Sequence, residues 1–457
     1  MNHKLHHLVQ FGIIHKSVIT VQMKRLILIA GMLLVAAGIG LYVVTLPAPA
    51  PSTPPAPISA TVLDRLPQDR KGQVLIYGAY GFTGAGISKL ASEYGITPVL
   101  AGRNESKLKP LAESLGYDYV VLSLANNHDN LVKVLKHFEI VLHIAGPYTF
   151  TGEPMLDAVV ESGTHYVDLT GENHVIQQQL DRHEEFKAAN IMVMPSVGYD
   201  VVPTDCLNVY VADQVENPTN LTLVINGNYT AAEGAGASRG TMKSGLEVLS
   251  RPLLMRQKGE MVEVSALKVI HRVEDGQEQT LVQIPWADMM TSYVSTGVPT
   301  IEVFQLQQGE LPGWLPRMAQ SDFGRRILGW LIDKFAPEGP PPGALETRQT
   351  RIVSTATNDA GESASAAMIT PEAYLLTFHS TLIIAKRVID GHWESGFQTV
   401  GKMYGPDLAL EVPGVSRMDL VRIPTKQEIE DAGFPPVSEV LEKLKMESEA
   451  EERRNNS

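Results

Sequence analysis

Three glycines at fixed spacing carry the first chemistry in this sequence: Gly78-Ala79-Tyr80-Gly81-Phe82-Thr83-Gly84. Glycine at the first position permits a tight turn. At the fourth it lets the backbone approach a pyrophosphate, and at the seventh it lets a helix pack closely on a strand. The amides opening such a helix point at the phosphates with the helix dipole behind them. A glycine triplet by itself describes no more than a tight turn. Here its position gives it weight: the apolar run QVLIYG leads into it and the amphipathic run AGISKLASEYG leads away, with Ile87, Leu90, Ala91 and Tyr94 at helical spacing.

The cofactor is read at the end of the second strand. A site for NAD places Asp or Glu there, to accept hydrogen bonds from the ribose 2′-hydroxyl. This chain offers LAGRN instead, with Arg103 and no preceding carboxylate. A guanidinium complements a 2′-phosphate through charge-assisted, bidentate bonds, so NADP(H) is expected. The plainer alternative makes Arg103 a surface charge at a strand end.

Further candidates end the later strands. In IAGPY, Ala145, Gly146 and Pro147 shape the backbone beside a nicotinamide; Tyr148 either faces the substrate or is a half-buried loop aromatic. Asp168, Glu172, Tyr199, Asp200 and Asp205 stand where the fifth and sixth strands end, on the edge that binds ligands in open α/β sheets. Tyr148 and Asp200 are carried forward as the catalytic candidates, while Asp168 or Asp205 equally suits a helix cap. Ser238 in GASRG has the spacing of a nucleophile elbow, but the polar, glycine-rich NYTAAEGAGA before it is no apolar strand. His183 is followed by Glu184 and Glu185, yet Lys187 stands where a second zinc-binding histidine belongs. Cys206, the single cysteine, excludes an internal disulfide and reads as a small buried helix residue.

These residues need a scaffold, and the pattern supplies one. QVLIYG, TPVLAGR, DYVVLSL, IVLHIAG, THYVDLTG and IMVMPSVG are short apolar runs separated by amphipathic stretches. That alternation predicts a doubly wound parallel sheet of the Rossmann kind, covered on both faces. Beyond about residue 205, LTLVINGN, VSALKVIHRVE, QTLVQIP and PTIEVFQLQ read as longer strands without regular intervening helices, so a mixed second domain is expected. PEGPPPGA is a linker or surface loop. PEAYLLTFHSTLIIAKRVIDG reads as one helix with Pro371 in its first turn and Gly391 closing it.

With 457 residues, 44% of them hydrophobic, the chain has material for two or three domains, and its net charge of -13 speaks against nucleic acid as a partner. The amino-terminal part is different. No charge interrupts Leu26 to Leu46, long enough for a helix to cross a bilayer. The alternative, a cleaved signal peptide, has A-x-A at Ala48 and Ala50 in its favour and Pro51 against it. Met23 would also make a natural start. Lys4, Lys16, Lys24 and Arg25 precede the run and only Arg65 lies within reach beyond it, which by the positive-inside rule puts the large domain outside the cytoplasm, away from the usual NADPH pool. Single-pass membrane association is the expectation, with the side left open.

Taken together, GAYGFTG, AGRNESKL, GPYTFTGEPMLDAVVESGTHYVDLTGE and GYDVVPTD resemble the saccharopine dehydrogenase-like family of NADP-binding oxidoreductases. IPWADMMTSYVSTGVPTIEVF and GFQTVGKMYGPDLALEVPGV are similar to its trans-acting enoyl reductase branch. The likeness runs from about residue 73 to about residue 420. It implies a Rossmann domain with a mixed α+β domain inserted before final helices that return to the first. It also implies that Gly78, Gly81, Phe82, Thr83 and Gly84 hold the pyrophosphate, that Arg103 meets the 2′-phosphate, and that Gly146, Pro147 and Tyr148 adjoin the nicotinamide. Tyr80 departs from the family's small residue, either crowding the cofactor or pointing outward. The organisation expected is a basic segment 1–25, a membrane helix 26–46, a proline-rich linker 47–72, an NADP-binding domain 73–205, a mixed domain 206–370 for substrate or homodimer contacts, a helix and return segment 371–425, and a charged tail 426–457. The expected activity is a membrane-anchored NADP(H)-dependent oxidoreductase that reduces a C=C or C=N bond of a small or lipid-like substrate. The competing expectation is a nucleotide-binding protein without chemistry.

Overall fold

The structure is a computed structural model that describes residues 57–125, 127–227, 237–274, 277–307, 314–341 and 343–423. The apolar run 26–46 and the charged tail 426–457 lie outside the described residues. Among those described, no helix is long and apolar enough to cross a membrane.

The first layer alternates as the hydrophobic pattern requires. Its elements are β1 (Val74–Tyr77), α1 (Phe82–Leu90), β2 (Val99–Gly102), α2 (Glu105–Leu115), β3 (Tyr119–Val121), α3 (His128–Leu135), β4 (Ile140–His143), α4 (Tyr148–Ser162), β5 (His165–Asp168), α5 (Asn173–Asp181), α6 (His183–Ala188) and β6 (Met192–Met194). Every strand pair here is parallel, and β1 lies between β2 and β4, which makes the switch point of a doubly wound sheet. Successive residues face opposite sides. Val74, Ile76, Leu100, Ile140 and Leu142 pack with Ile87 and Leu108 on one face. Leu75, Val99, Val141 and Tyr166 pack with Leu131, Leu135, Met155 and Val159 on the other.

The chain then enters α7 (Val202–Ala212), β7 (Asn220–Gly227), α8 (Arg239–Leu249), β8 (Leu253–Gln257), β9 (Glu260–Val264), β10 (Val269–Glu274), β11 (Gln277–Gln283), α9 (Asp288–Thr296), β12 (Thr300–Leu306), α10 (Trp314–Gln320), α11 (Asp322–Phe335), β13 (Gln349–Thr357) and β14 (Ser363–Pro371). It closes with α12 (Ala373–Ile389), β15 (Gly396–Phe397), α13 (Val400–Tyr404) and β16 (Ser416–Ile423). The second sheet runs β10-β11-β12-β7-β13-β14-β16, with β8 and β9 branching from β12. It is mixed: β12 pairs β7 in parallel and β13 pairs β7 and β14 antiparallel. Helix α7 is buried almost all round, packed on β7, β13 and β14 of the second sheet and against α9 and α13. Small buried residues facing it, among them Ser354, Ala356, Ala364 and Ala366, let it approach.

Four expectations change. The region beyond residue 205 does contain regular helices, α8 to α11, that short strand-like runs had hidden. VSALKVIHRVE is two strands, because β9 ends at Val264 and β10 begins at Val269. Pro371 is the last residue of β14 and lies outside the helix; Glu372 caps α12 instead, its carboxylate accepting from the amides of Tyr374 and Leu375, and Gly391 follows at φ 86°. The return segment divides. Helix α12 packs on α1, and β15 adds a seventh parallel strand beside β6, but β16 pairs with β14 in the second sheet.

Candidate functional site

The turn after β1 is tightly built. Gly78 has φ 88°, and the amides of Gly78 and Ala79 both donate to the Ala101 carbonyl at 2.9 and 3.2 Å, which ties the loop to β2. The Gly81 amide folds back to donate to the Gly78 carbonyl at 3.0 Å. A Cβ at Gly84 would stand 2.4 Å from that same oxygen, and one at Gly78 would stand 2.8 Å from the Ile144 carbonyl, so neither position admits a side chain. Gly81 differs. It is exposed, its φ of -69° suits any residue, and a Cβ there meets only the Gly78 oxygen at 3.3 Å. As the N-cap of α1 it supplies no side-chain acceptor, so the first-turn amides at Phe82, Thr83 and Gly84 stay open to an anion. This cradle fits a pyrophosphate.

At the end of β2, Arg103 is exposed, and its guanidinium has no hydrogen-bond or ion-pair partner among the described residues. Tyr80 does not crowd the turn. Its ring lies on Gly102, where a Cβ would stand only 2.6 Å from Cε1, so the departure from a small residue is absorbed by a glycine one strand away. The phenol thus stands beside Arg103, at the end of the cleft where the resemblance puts the 2′-phosphate.

The other end of the cleft follows β4. Ala145 and Pro147 are half-buried, Gly146 is exposed, and Tyr148 opens α4. The expectation that Tyr148 faces substrate is corrected. The residue is 6% exposed, its hydroxyl donates to the His143 carbonyl at 3.0 Å, and it accepts from the Leu169 amide at 3.2 Å. It therefore clamps the ends of β4 and β5 together, with Thr149 half-buried beside it.

Glu172 is the centre of this end and is fully buried. One carboxylate oxygen accepts from the Tyr148 amide at 2.8 Å and from Ser244 Oγ at 3.0 Å. The other accepts from the Thr149 amide at 2.8 Å and from Thr149 Oγ1 at 2.5 Å. The α4 dipole and its open amides hold the charge there. Thr149 Oγ1 also meets His174 Nε2 at 2.8 Å, and burial together with Arg251 lowers that imidazole to about 4. Ser244 comes from α8 of the second domain, and a Cβ on Gly146 would lie 3.3 Å from its Oγ. Neither Ser244 nor His174 carried a signal in the sequence, because their partners are brought up by folding rather than by spacing.

The remaining candidates separate by what their oxygens do. Asp168 is buried and accepts from the amides of Thr170 and Ser196, from Tyr166 Oη and from Gln179 Nε2, so it holds the end of β5. Asp205 accepts from Ser292, Ser295 and the Gly401 amide and so caps α13. Tyr199 is half-buried and its amide donates to Thr377. Asp200 is half-buried at the end of β6, with Oδ2 3.4 Å from where a Gly171 Cβ would be, and burial raises its carboxyl to about 7. Behind it lies Asp288, wholly buried and raised further by burial and by Asp205 and Asp200. Ser238 is the N-cap of α8, accepting from the Thr241 amide. Cys206 is buried in α7, where burial pushes its thiol up.

Comparison with known proteins follows this geometry. The pattern described as the saccharopine dehydrogenase NADP binding domain matches residues 74–194, from β1 to β6. A saccharopine dehydrogenase-like oxidoreductase of Homo sapiens is 24% identical over 198 residues, which are 39% of this chain and 46% of the relative. A trans-acting enoyl reductase of Mycobacterium leprae is 32% identical over 151 residues, 32% of this chain and 36% of that one. The chain thus spans about half the length, or less, of the curated relatives it matches. Apo histidine-tagged saccharopine dehydrogenase (L-Glu forming) from Saccharomyces cerevisiae covers 76% of this chain and 100% of its own, with TM-score 0.51 and 15% identity, a likeness of fold alone. The resemblance read from the sequence is borne out, and the cofactor is NADP(H).

Proposed function

We propose, from the premise that residues 74–194 form the NADP-binding domain of the saccharopine dehydrogenase family, that this chain reduces a C=C or C=N bond in a small or lipid-like substrate while anchored to a membrane by residues 26–46. The observation that carries the redox reading is the asymmetry of the cleft: an open glycine turn and an unpaired Arg103 at one end, and the Glu172 joint between the two domains at the other. When bound, NADPH supplies the hydride. The chain's own residues position and protonate: the first turn of α1 holds the pyrophosphate, Arg103 the 2′-phosphate, and Gly146 leaves room beside α8. Asp200, with a carboxyl near 7, is the group that keeps a proton available at neutral pH. The trans-acting enoyl reductases among the relatives make an enoyl thioester the first substrate class to try.

The test is consumption of NADPH by the full chain in vesicles, measured by absorbance against enoyl thioesters and cyclic imines, with Asp200→Asn alongside. Substrate-dependent oxidation, slowed in the variant without loss of NADPH binding, is the expected result. The second reading, nucleotide binding without turnover, is favoured by the saturated hydrogen bonds of Tyr148 and Glu172. It would be supported by tight NADPH binding with no oxidation across the panel.

A further inference from the structure

Helices α10 and α11 form a satellite to the main body. They share a small core of their own, in which Leu246 of α8 meets Ala319 and Leu328, with Leu249, Leu315, Met318 and Ile332 around it. Their turn is tight: Ser321 Oγ accepts from the Gly324 amide, and Gly324 leaves no room for a side chain against the Met318 carbonyl. With Gly324, Leu328 and Ile332 turned inward, helical spacing puts Phe323, Arg326, Ile327, Trp330 and Lys334 together on the outer face.

That face is unusual for this protein. Trp314 is 56%, Phe323 50% and Phe335 73% exposed. A solvated helix face does not normally hold three large aromatics within two short helices. The same stretch has four basic residues, Arg317, Arg325, Arg326 and Lys334, against two acidic ones, Asp322 and Asp333, in a chain whose net charge is -13. Three of these charges are internally paired, Arg325 with Asp322 and Asp333 with Lys243 of α8, and Arg326 also has a partner. Aromatic side chains set among exposed Arg and Lys on an amphipathic helix match an anionic lipid surface, where the rings enter the headgroup boundary and the cations meet phosphates.

We propose that the α10–α11 hairpin is a docking surface for an anionic phospholipid bilayer, with Trp314, Phe323 and Trp330 entering the interface and Arg317 and Lys334 facing the headgroups. Besides charge complementarity, reach supports this occupant. Residues 47–56 span at most about 35 Å, less than the width of a body of this size, so an anchor at 26–46 keeps the bilayer beside the folded domain. The inference rests on that anchor reading. It also has a consequence for the cleft, since the satellite borders it: α8 supplies Ser244 to Glu172, and Gly339, shortly after α11, lies directly on the Phe82 ring at the phosphate turn. Docking therefore brings a lipid-like substrate to the same side as the cofactor.

The experiment uses the full chain in phosphatidylcholine–phosphatidylserine vesicles, comparing tryptophan emission with and without lipids brominated near the headgroup. Trp314 and Trp330 are two of only four tryptophans. Emission is expected to fall with brominated lipid, most of that fall to vanish in Trp314→Phe/Trp330→Phe, and the remainder of the surface effect to weaken in Arg317→Glu/Lys334→Glu, with NADPH affinity unchanged throughout. Flotation with vesicles but no difference between brominated and plain lipid overturns the docking surface and leaves the anchor standing. Failure to float overturns both. Shielding of Trp314 that appears only with dimer formation in sedimentation assigns the face to a second copy and likewise overturns the proposal.

Discussion

Replacing Gly81 by alanine separates the phosphate cradle from the fold that carries it. The backbone at Gly81 has φ -69° and ψ 162°, and the added Cβ meets only the Gly78 carbonyl at 3.3 Å, so the unliganded protein accommodates it with a shift of a few tenths of an ångström. The cost to stability should stay below about 1 kcal/mol. A pyrophosphate seated on the α1 amides, however, must pass directly over that position. Displacing it sacrifices at least one hydrogen bond to a charged group, about 1.5–3 kcal/mol, which is roughly ten- to a hundred-fold in Kd. Gly84→Ala makes the opposite case. Its Cβ would stand 2.4 Å from a backbone oxygen and 2.9 Å from Ala79 Cα, and neither atom moves without reshaping the turn. Overpacking of that kind costs about 1–3 kcal/mol and should lower Tm as well as affinity. The assays are fluorescence titration with NADPH and thermal unfolding of both variants without ligand. If Gly81→Ala binds NADPH as the parent does, the α1 amides do not hold the phosphates and the cofactor geometry argued above is wrong.

Two further outcomes follow from single side chains. Arg103→Ala should weaken NADPH about ten-fold or more, the worth of a charge-assisted pair, and leave NADH unchanged; equal losses for both nucleotides would mean that Arg103 acts on the fold. His143 is buried among Tyr77, Tyr148 and Tyr166, and burial lowers its imidazole from 6.5 to about 3, with His165 lowered to about 4 by burial and Arg70. A folded-state value below the unfolded one means that protons bind the unfolded chain first. Stability is therefore complete above about 6.5 and is lost as pH falls toward 3, by up to about 1.4 kcal/mol per pH unit for each histidine. Burial raises the carboxyls of Asp200 and Asp288, which gain stability over the same range, so the histidine contribution is read as a difference: in urea unfolding from pH 7 to pH 4, His143→Gln should lose less stability than the parent.

Much of the first domain was legible because its signals are local. A strand, a glycine-spaced turn and an amphipathic helix lie next to one another in the sequence, and Gly78 and Gly84 are each fixed by a contact within the loop or to an adjacent strand. Arg103 was legible for the same reason, being the next residue after β2. Tyr148 misled because an exposed-looking loop aromatic gives no hint of where its hydroxyl goes. Its partners, the His143 carbonyl and the Leu169 amide, belong to two neighbouring strands. The β15 strand has only two residues and no periodicity to detect. The helices of the second region follow stretches that read as loops, and α8 is held by packing against α10 and α11, which lie far along the chain. Glu172 was singled out among five candidates without anything to rank it, since its rank depends on Ser244, 72 residues away.

Under the proposed function that buried carboxylate would also set which way a dinucleotide lies. Two helix N-termini flank the switch point of the sheet, α1 after β1 and α4 after β4. Each is an attractive place for a phosphate, since both present unpaired amides and the positive end of a dipole. At α4 the place is filled from within the protein, because Glu172 accepts the amides of both Tyr148 and Thr149 and is locked by Ser244 and Thr149 Oγ1. At α1 it is left empty by a glycine N-cap. An anion brought to α4 would have to displace a charged, fully buried group that makes four hydrogen bonds, whereas at α1 it displaces water. Under the proposed function this would direct the pyrophosphate to α1 and the adenosine end toward Arg103, leaving the nicotinamide, which carries no phosphate, for the α4 side. There Gly146 has no side chain and Ser244 brings the second domain within reach. The same carboxylate that looks at first like a spare catalytic acid is, on this argument, what gives the cleft its direction.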